Sequence, residues 1–382
     1  MGAVSAYVGR RLAIAVPLLW LVSVLAYLLL YRAADPVARL RQVPGVRPAD
    51  VARLVEQQGL DAPWYEGYWR WLSGFVRGDW GLSATNRGAG ALETIGNAVP
   101  ATIELMGLAL VVSAVLGVSL GVLSATRPMS GTDLTLTGIS YIGFATPTFL
   151  AGILLQLGAI WTREHGWAVI PFALGTVLVL AGLARVRRGG ATTVAVLSAG
   201  AILILLAVVL WDQLGGDGST ILYTGQRYSF GHEGDLLSLN HLQHLVLPVL
   251  TLSLVNVAVW SRFQRAVLID ELRSEHVAVA RAHGLGEGRV VVRHALRNAM
   301  APIVTLVALD LGATFSGAVV TETVFSWPGM GRLLRDAAVA RDINVAMGIV
   351  MIGAVAVVVA NLVADLAYAA LDPRVDLRGG RP

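Results

Sequence analysis

Residues 12–31 of the chain read LAIAVPLLWLVSVLAYLLLY, twenty residues without a charge. A helix that crosses a bilayer needs about 20 mostly apolar residues, because lipid offers the backbone no hydrogen-bond partners. A cleaved signal peptide is the competing interpretation, but its apolar core would have about 7–15 residues and end at a small-residue cleavage site. This run ends at Tyr31 and Arg32 instead. We therefore interpret it as an uncleaved first membrane span.

The composition of the whole chain favours a membrane protein. Of the 382 residues, 55% are hydrophobic and 14% are charged, and the mean hydropathy is +0.67. Soluble domains carry about 25% charged residues, and disordered chains combine low hydrophobicity with high charge, so both classes are excluded. The absence of cysteine excludes disulfide scaffolds, thiolate metal sites and cysteine nucleophiles. All 29 basic residues are arginine, and we interpret the net charge of +4 as topology rather than nucleic-acid binding.

Seven further apolar runs are long enough to cross a membrane. The second run of the chain contains one charge, Glu104, and the seventh contains one, Asp310. The predicted fold is therefore all-α, a polytopic membrane protein of about eight transmembrane helices. The seven runs cover residues 98–125, 134–161, 167–184, 191–211, 245–261, 299–321 and 343–364.

The arginines predict which side of the membrane each loop occupies. If the N-terminus is cytoplasmic, the inner segments hold 16 of the 29 arginines and the short outer loops hold 5. The other 8 lie in residues 32–98, and loops longer than about 60 residues escape the positive-inside rule. Both termini are therefore predicted to be cytoplasmic. The inner segments are 1–11, 126–133, 185–190, 262–298 and 365–382.

Two outer loops are long. Residues 32–98 include a stretch with helical spacing, 48–59, and an aromatic stretch, 64–75. A cap resting on the outer leaflet and a docking surface for an external partner are equally favoured for this loop. The loop 212–244 carries three histidines. A metal site is conceivable there, but we prefer ordinary interfacial histidines, because no carboxylate completes a ligand set. The histidines are His232, His241 and His244.

The inner loop 262–298 is much longer than a connector requires. Two helical stretches flank a turn at Gly284-Leu285-Gly286, with small alanines on the first stretch and three arginines on the second. One interpretation is an amphipathic stretch on the anionic leaflet. The other is a helix–turn–helix that inserts into a cytoplasmic protein, because small residues permit close approach and Gly284 permits the backbone to reverse.

Residues 278–302, AVARAHGLGEGRVVVRHALRNAMAP, resemble the ATPase-coupling loop, the EAA-type loop, of ABC importer permeases of the oligopeptide, dipeptide and nickel family. The resemblance covers roughly residues 1–165 and 235–378. Ala278 stands where the strict motif has glutamate. Other matching motifs occur in the family's order: Tyr7 to Arg11, Leu60 to Pro63, Tyr68 to Gly81, Pro100 to Leu105, Thr321 to Arg332 and Leu371 to Arg374.

The resemblance implies a six-helix type I permease core, to which two helices have been added without changing the sidedness of the later helices. On this basis the chain divides into consecutive segments. They are a first transmembrane helix (1–31), an extracytoplasmic loop or cap (32–98), helices two and three (99–165), an inserted helix pair with an outer loop (166–234), the remaining core helices with the coupling loop 262–298 (235–371), and a cytoplasmic tail (372–382).

The resemblance also implies function and partners. The chain would be a multi-pass permease of a prokaryotic cell membrane, part of an ATP-driven importer of peptides. It would pair with a second, homologous permease as a heterodimer, with two cytoplasmic ATPases and with an extracytoplasmic binding protein. Besides these it would contact membrane lipid and no nucleic acid. It would hold no cofactor, since the ATPases bind ATP and Mg²⁺.

Other functions remain open on the sequence alone. The chain contains no G-x-x-x-x-G-K-[ST] loop, so it is not predicted to be an enzyme. Within transport, the alternatives are nickel, an opine or another small solute as cargo. A non-transporting membrane scaffold is an alternative from another class. A membrane-embedded hydrolase ranks last, because neither Glu104 nor Asp310 has a histidine near it in its span.

The candidate site residues fall into two groups. In the coupling loop, Gly284 is expected to supply the turn, Ala280 and Ala282 close approach, and Arg281 and Arg293 either contacts with the ATPase or a link between the two loop helices. The full coupling set is Ala280, Arg281, Ala282, Gly284, Leu285 and Arg293. Candidates for the pathway or its outer gate are Glu104, Asp310, Trp327, Pro328 and Gly329.

Overall fold

Helices make up almost all regular structure in the computed structural model, which describes residues 2–33, 63–86, 88–165, 222–229 and 238–371. One isolated antiparallel β-bridge joins Leu82 and Gly90. The helices are α1 (Gly2–Ala33), α2 (Trp64–Arg77), α3 (Ala91–Ala125), α4 (Gly131–Ala145), α5 (Thr148–His165), α6 (Leu239–Glu271), α7 (Glu275–Ala282), α8 (Leu296–Val324), α9 (Met330–Ala340) and α10 (Ile343–Leu371). A short helical turn, Glu287–Arg289, and a π-helical segment, Val290–Ala295, lead into α8.

Four helices of the described residues are long and apolar enough to cross a membrane, and a fifth span results if α4 and α5 form one broken span. The prediction of an all-helical, polytopic membrane protein is therefore confirmed at that level. α8 also contains the apolar run 299–321. The runs 167–184 and 191–211, the helical spacing at 48–59, and the tail 372–382 lie outside the described residues. The total of eight spans stays a prediction.

The run 134–161, predicted as one membrane span, is divided between α4 and α5 in the structure. The chain breaks after α4, where Thr146 takes extended angles (φ −82°, ψ 118°) before Pro147. Proline disfavours the helical region for the residue before it and has no N–H to continue the hydrogen-bond ladder. Pro147 lies within the uncharged run 134–161, and a search for long uncharged runs does not detect a helix break at a proline.

Several helices extend beyond their apolar runs. α1 begins at Gly2 and α3 begins at Ala91, before the predicted starts at residues 12 and 98. α6 continues through Glu271, so the first ten residues of the predicted loop 262–298 prolong a membrane helix. This extension places α7 directly after α6.

Two units are distinguished within the chain, Met1–Phe149 with Pro248–Pro382, and Leu150–Leu247. In the larger unit, α2 packs on α1 through Tyr27 and Tyr68, whose rings meet edge to face at 5.6 Å. Ser23 shares a 2.8 Å hydrogen bond with the Tyr68 hydroxyl. A second core joins the start of α3 to α9 and α10, with Ile95, Ala337 and further residues fully buried. The aromatic stretch 64–75 is therefore a helix fixed to the first span.

In the smaller unit, the segment 222–229 is held by side chains of α5 and the start of α6. The Tyr223 ring stacks on His244 at 3.9 Å, and the Tyr228 ring stacks on His241 at 4.6 Å. The Gln156 amide donates to the Thr224 carbonyl at 2.6 Å. His241 and His244 are thus packed against tyrosines, while His232 lies outside the described residues.

Candidate coupling and gate sites

The helix α7 is the central element of the predicted coupling loop. It begins after a short turn at the end of α6, and Ser274 precedes its first residue. The Ser274 hydroxyl donates to the Glu271 carbonyl at 2.6 Å, which fixes the turn. Across the loop, the Asn298 amide donates to the Glu271 carboxylate at 2.9 Å. The two ends of the loop are therefore joined to each other.

The turn after α7 is built on Gly284, as the sequence predicted. Gly284 has φ +76°, a left-handed conformation that glycine adopts without a steric penalty. Its amide donates to the Arg281 carbonyl at 2.9 Å, and the Leu285 amide donates to the Ala280 carbonyl at 3.4 Å. This pair of bonds is the Schellman motif, which satisfies the last carbonyls of a helix. Leu285 then packs on the buried face of α7.

One face of α7 is buried in the chain's own core. Val277 and Ala280 pack against Leu268 of α6 and Ala125 at the end of α3, together with residues of the π-helical segment and the start of α8. Ala280 therefore permits close approach between elements of this chain. Ala282, in contrast, is exposed.

The opposite face of α7 is open. Ala278, Val279 and Ala282 are exposed, and 55% of Val279 is accessible to solvent. Arg293 is also exposed, in the π-helical segment that leads into α8. Small and apolar residues on the exposed face of a capped helix allow a partner protein to approach closely.

Arg281 links the two helical stretches of the loop. Its guanidinium donates to the Glu287 carboxylate at 2.6 and 3.2 Å and to the Leu272 carbonyl at 3.1 Å. The hydrogen bond from Arg281 lowers the pKa of the Glu287 carboxyl below its ordinary value. Of the two roles expected for Arg281, this geometry matches the link between the loop helices.

The second candidate site lies at the far end of α8. The carboxylate of Glu322 is fully buried and accepts the Thr102 hydroxyl at 2.7 Å and the Arg332 amide at 3.0 Å. The Thr102 oxygen in turn accepts the Met330 amide at 2.7 Å. These contacts connect α3, α8 and the first turn of α9. Backbone amides at the start of a helix have no intrahelical acceptor, and they favour a negative charge beside them. We call Thr102, Glu322, Trp327, Gly329 and Met330 the Glu322 cluster.

Three predicted gate residues belong to the turn beside this carboxylate. The Trp327 indole is fully buried and donates to the Ala101 carbonyl at 2.9 Å. A Cβ on Gly329 would overlap the buried Glu322 carboxylate, so glycine permits the close approach seen there. Pro328, between them, is exposed.

The two remaining pathway candidates lie apart from this cluster. The Trp260 indole of α6 donates to the Asp310 carboxylate of α8 at 2.6 Å. Glu104 is half-buried on α3. Residues two positions apart on a helix point about 200° away from each other, so Glu104 faces away from Thr102 and its bond with Glu322.

Sequence reasoning named Trp327, Pro328 and Gly329 but missed Glu322 and Thr102. Both occur in the motifs that carry the family resemblance, TETVFSWPGMGR and PATIEL. A glutamate at the end of an apolar run, with two closely spaced glycines after it, was the available signal. Within the described residues, no group of three histidine, aspartate or glutamate side chains could hold a metal ion.

Two family models match nearly the whole chain. The family described as binding-protein-dependent transport system inner membrane component matches residues 117–377, and its N-terminal companion matches residues 4–104. Over 372 residues, the chain is 30% identical to the oligopeptide transport system permease protein AppB of Bacillus subtilis (strain 168), covering 97% of this chain and 99% of that protein.

Two further relatives have similar coverage. The dipeptide transport system permease protein DppB of Escherichia coli (strain K12) is 30% identical over 372 residues, covering 97% of this chain and 98% of that protein. The oligopeptide transport system permease protein OppB of Mycobacterium tuberculosis (strain ATCC 25618 / H37Rv) is 32% identical over 370 residues, with the same coverage. Such permeases are multi-pass, non-catalytic inner-membrane subunits that need no cofactor and work with ATPases and a binding protein. The chain belongs to the family of binding-protein-dependent transport system inner membrane components, the permeases of ABC importers.

Proposed function

We propose that this chain forms one half of the transmembrane pathway of an ATP-driven peptide importer. A second, homologous permease supplies the other half. Two ATPases bind the coupling loops on the cytoplasmic side, and an extracytoplasmic protein delivers di- or oligopeptides to the outer side. The proposed topology has eight spans with both termini in the cytoplasm, which places α7 inside and the Glu322 cluster outside.

The observation that carries this proposal is the construction of α7. Its inner face is packed on α3, α6 and α8, and its outer face is exposed. The turn that ends it is fixed by Gly284 and by the link between Arg281 and Glu287. A push on the exposed face is therefore delivered to three membrane helices instead of being absorbed by a flexible loop.

The proposed mechanism is alternating access between two states. ATP binding draws the ATPases together and moves both coupling loops, and the helices then expose the pathway to one side or the other. At the outer end, the Glu322 cluster holds α3, α8 and α9 together. In this role it forms part of the outer gate, and Trp327, Pro328 and Gly329 shape the turn beside it.

Peptide is the proposed cargo because the relatives' names specify it. AppB and OppB are oligopeptide permeases, and DppB is a dipeptide permease. Each aligns with nearly the whole of this chain. Nickel and small solutes are the alternatives that an uptake assay must separate from peptide.

The experiment that tests the proposal is purification of the chain from its native membrane, and then reconstitution. We expect a second permease, two ATPases and a binding protein to copurify, and labelled trialanine to enter proteoliposomes when ATP is supplied. Excess unlabelled peptide should compete with this uptake, and nickel should not. Isolation without an ATPase would contradict the importer assignment, whereas a complete complex that imports nickel but no peptide would contradict the cargo.

A further inference from the structure

Helix α4 runs antiparallel along α6 and contacts it at successive turns. The hydroxyls of Ser140 and Ser261 lie 3.2 Å apart. The Arg262 guanidinium lies over the Tyr141 ring at 4.7 Å. A Cβ on Gly143 would be in ordinary contact, 3.5 Å, with Ala258. Together these contacts keep α4 in one register along α6.

An ion pair between a buried carboxylate and a partly exposed guanidinium closes this contact at the end nearest the coupling loop. The Arg265 guanidinium of α6 donates two hydrogen bonds to the Asp133 carboxylate of α4, both 2.7 Å long. Asp133 is only 1% exposed. It also accepts the Met129 amide at 2.8 Å and the Ser124 hydroxyl from the last turn of α3. The carboxylate therefore joins α3, α4 and α6 at one point.

The ion pair lies next to the core beneath α7. Leu268, three positions beyond Arg265, packs against Val277 and Ala280 of α7. Ala125, the residue after Ser124, belongs to the same core. Any displacement of α7 therefore reaches Arg265 through one turn of α6 and reaches Ser124 through the end of α3.

We propose that Asp133 and Arg265 are positioning residues for energy coupling, which make α4 move with the coupling loop during the transport cycle. This role rests on the proposed docking of ATPases to α7. Without the ion pair, α7 would still move α3 and α6, but α4 could slip along α6. The pathway would then fail to open or close in step with ATP hydrolysis.

Physical chemistry supports a register role over a purely stabilising one. A buried ion pair can often be replaced by apolar residues of similar size without loss of stability, because removing two charges from water is costly. What apolar replacements lack is a preferred register. Two parallel hydrogen bonds between a guanidinium and a carboxylate fix both distance and direction.

The test exploits the absence of cysteine from the chain. Ile139→Cys on α4 and Glu275→Cys on α7 occupy exposed positions and can carry spin labels. Their separation is measured by pulsed electron paramagnetic resonance in the complete importer, with and without ATP and vanadate. The measurement is repeated in the double variant D133L/R265M, which removes both charges together.

With the ion pair intact, we expect one narrow distance peak that ATP does not shift. In the double variant we expect a second distance population. Trialanine imported per ATP hydrolysed should fall about tenfold, within the range by which substitutions change the coupling between two sites. In R265K, trialanine imported per ATP hydrolysed should also fall. R335K, the same substitution at the exposed pair of Arg335 and Asp336, should leave both readouts unchanged.

A single unshifted peak in the double variant would overturn the proposal, and so would a peak in the unaltered protein that ATP displaces. These outcomes differ from a failure of the proposed function. If the unaltered chain bound no ATPase, the importer assignment would be contradicted. The distance distribution measured without ATP would still decide whether the ion pair fixes α4 to α7.

Discussion

Thr102 on α3 donates a 2.7 Å hydrogen bond to Glu322 at the end of α8, across 220 positions of the chain. The same hydroxyl accepts the amide of Met330, the first residue of α9. One small side chain therefore holds three helices at the proposed outer end of the pathway. The carboxylate beside it is fully buried.

We expect Thr102→Val to destabilise the protein while preserving its shape. Valine has nearly the same volume as threonine but leaves the Met330 amide without its acceptor and removes one donor from Glu322. Each buried polar group left unpaired costs about 1–3 kcal/mol. Thermal unfolding of the purified protein in detergent measures the loss. Thr102→Ser, which keeps the hydroxyl, is the control, and equal melting temperatures for the two variants would contradict the assigned role.

Close packing of α3 on α6 predicts opposite effects for two glycines of the same helix. A Cβ on Gly121 would lie 2.6 Å from Gln264 Cβ and 2.7 Å from the Ser261 carbonyl, whereas a Cβ on Gly107 meets nothing within 4 Å. Gly121→Ala should cost about 1–3 kcal/mol through overpacking. Gly107→Ala should be neutral or stabilising, because alanine favours helix. Thermal unfolding of both variants decides the matter, and a stable Gly121→Ala protein would argue against this interface.

The turn at Gly284 predicts a loss of import that a neighbouring glycine does not share. Gly284 has φ +76°, and a β-branched residue is strained there. Gly284→Val should abolish peptide uptake in reconstituted vesicles while leaving the protein in the membrane. Gly286 has φ −61° and ψ 142°, angles that valine adopts, and open space around it. Gly286→Val should therefore retain uptake, and normal uptake by Gly284→Val would count against the turn's role.

The link between Arg281 and Glu287 predicts a pH dependence of the loop. Because Arg281 lowers the pKa of the Glu287 carboxyl, the link stabilises the folded loop above the ordinary glutamate pKa of 4.5. That stabilisation disappears as the pH falls through the lowered value. Hydrogen–deuterium exchange of residues 281–287, compared with Glu287→Gln at each pH, should show protection near neutral pH and none in acid. If the two proteins differed in exchange by the same amount at all pH values, the link between Arg281 and Glu287 would be excluded as the source of the protection.

Local features were predictable from the sequence, and distant contacts were not. The turn at Gly284 was expected from glycine chemistry, and the spans were expected from apolar length. The break at Pro147 was missed because an uncharged run surrounds it. The bond between Thr102 and Glu322 depends on how α3 and α8 pack, which a single sequence does not specify. Gly329 was predicted as a gate candidate, whereas the structure shows that the Glu322 carboxylate lies against it and leaves no room for a Cβ.

The sequence also left the role of Arg281 open between two alternatives. Both were chemically reasonable, since an exposed arginine can bind a partner or a neighbouring carboxylate. The geometry shows it bonded to Glu287, six positions further along the chain. Ala280 and Ala282 were grouped by size, yet they lie on opposite faces of α7, and only packing separates them.

The central claim is that the exposed face of α7 docks an ATPase, and Val279 tests it most directly. Val279 is 55% exposed on α7, and Val339, on α9 at the proposed outer side, is 62% exposed. Neither side chain is part of the buried core, so an arginine at either position should leave the fold intact. The two variants therefore differ in location rather than in burial.

The measurement is the amount of ATPase that copurifies with the chain from native membranes. We predict that the unaltered chain and Val339→Arg retain both ATPases, and that Val279→Arg loses them while remaining folded in the membrane. Full retention of the ATPases by Val279→Arg, or their absence from the unaltered chain, would contradict the account.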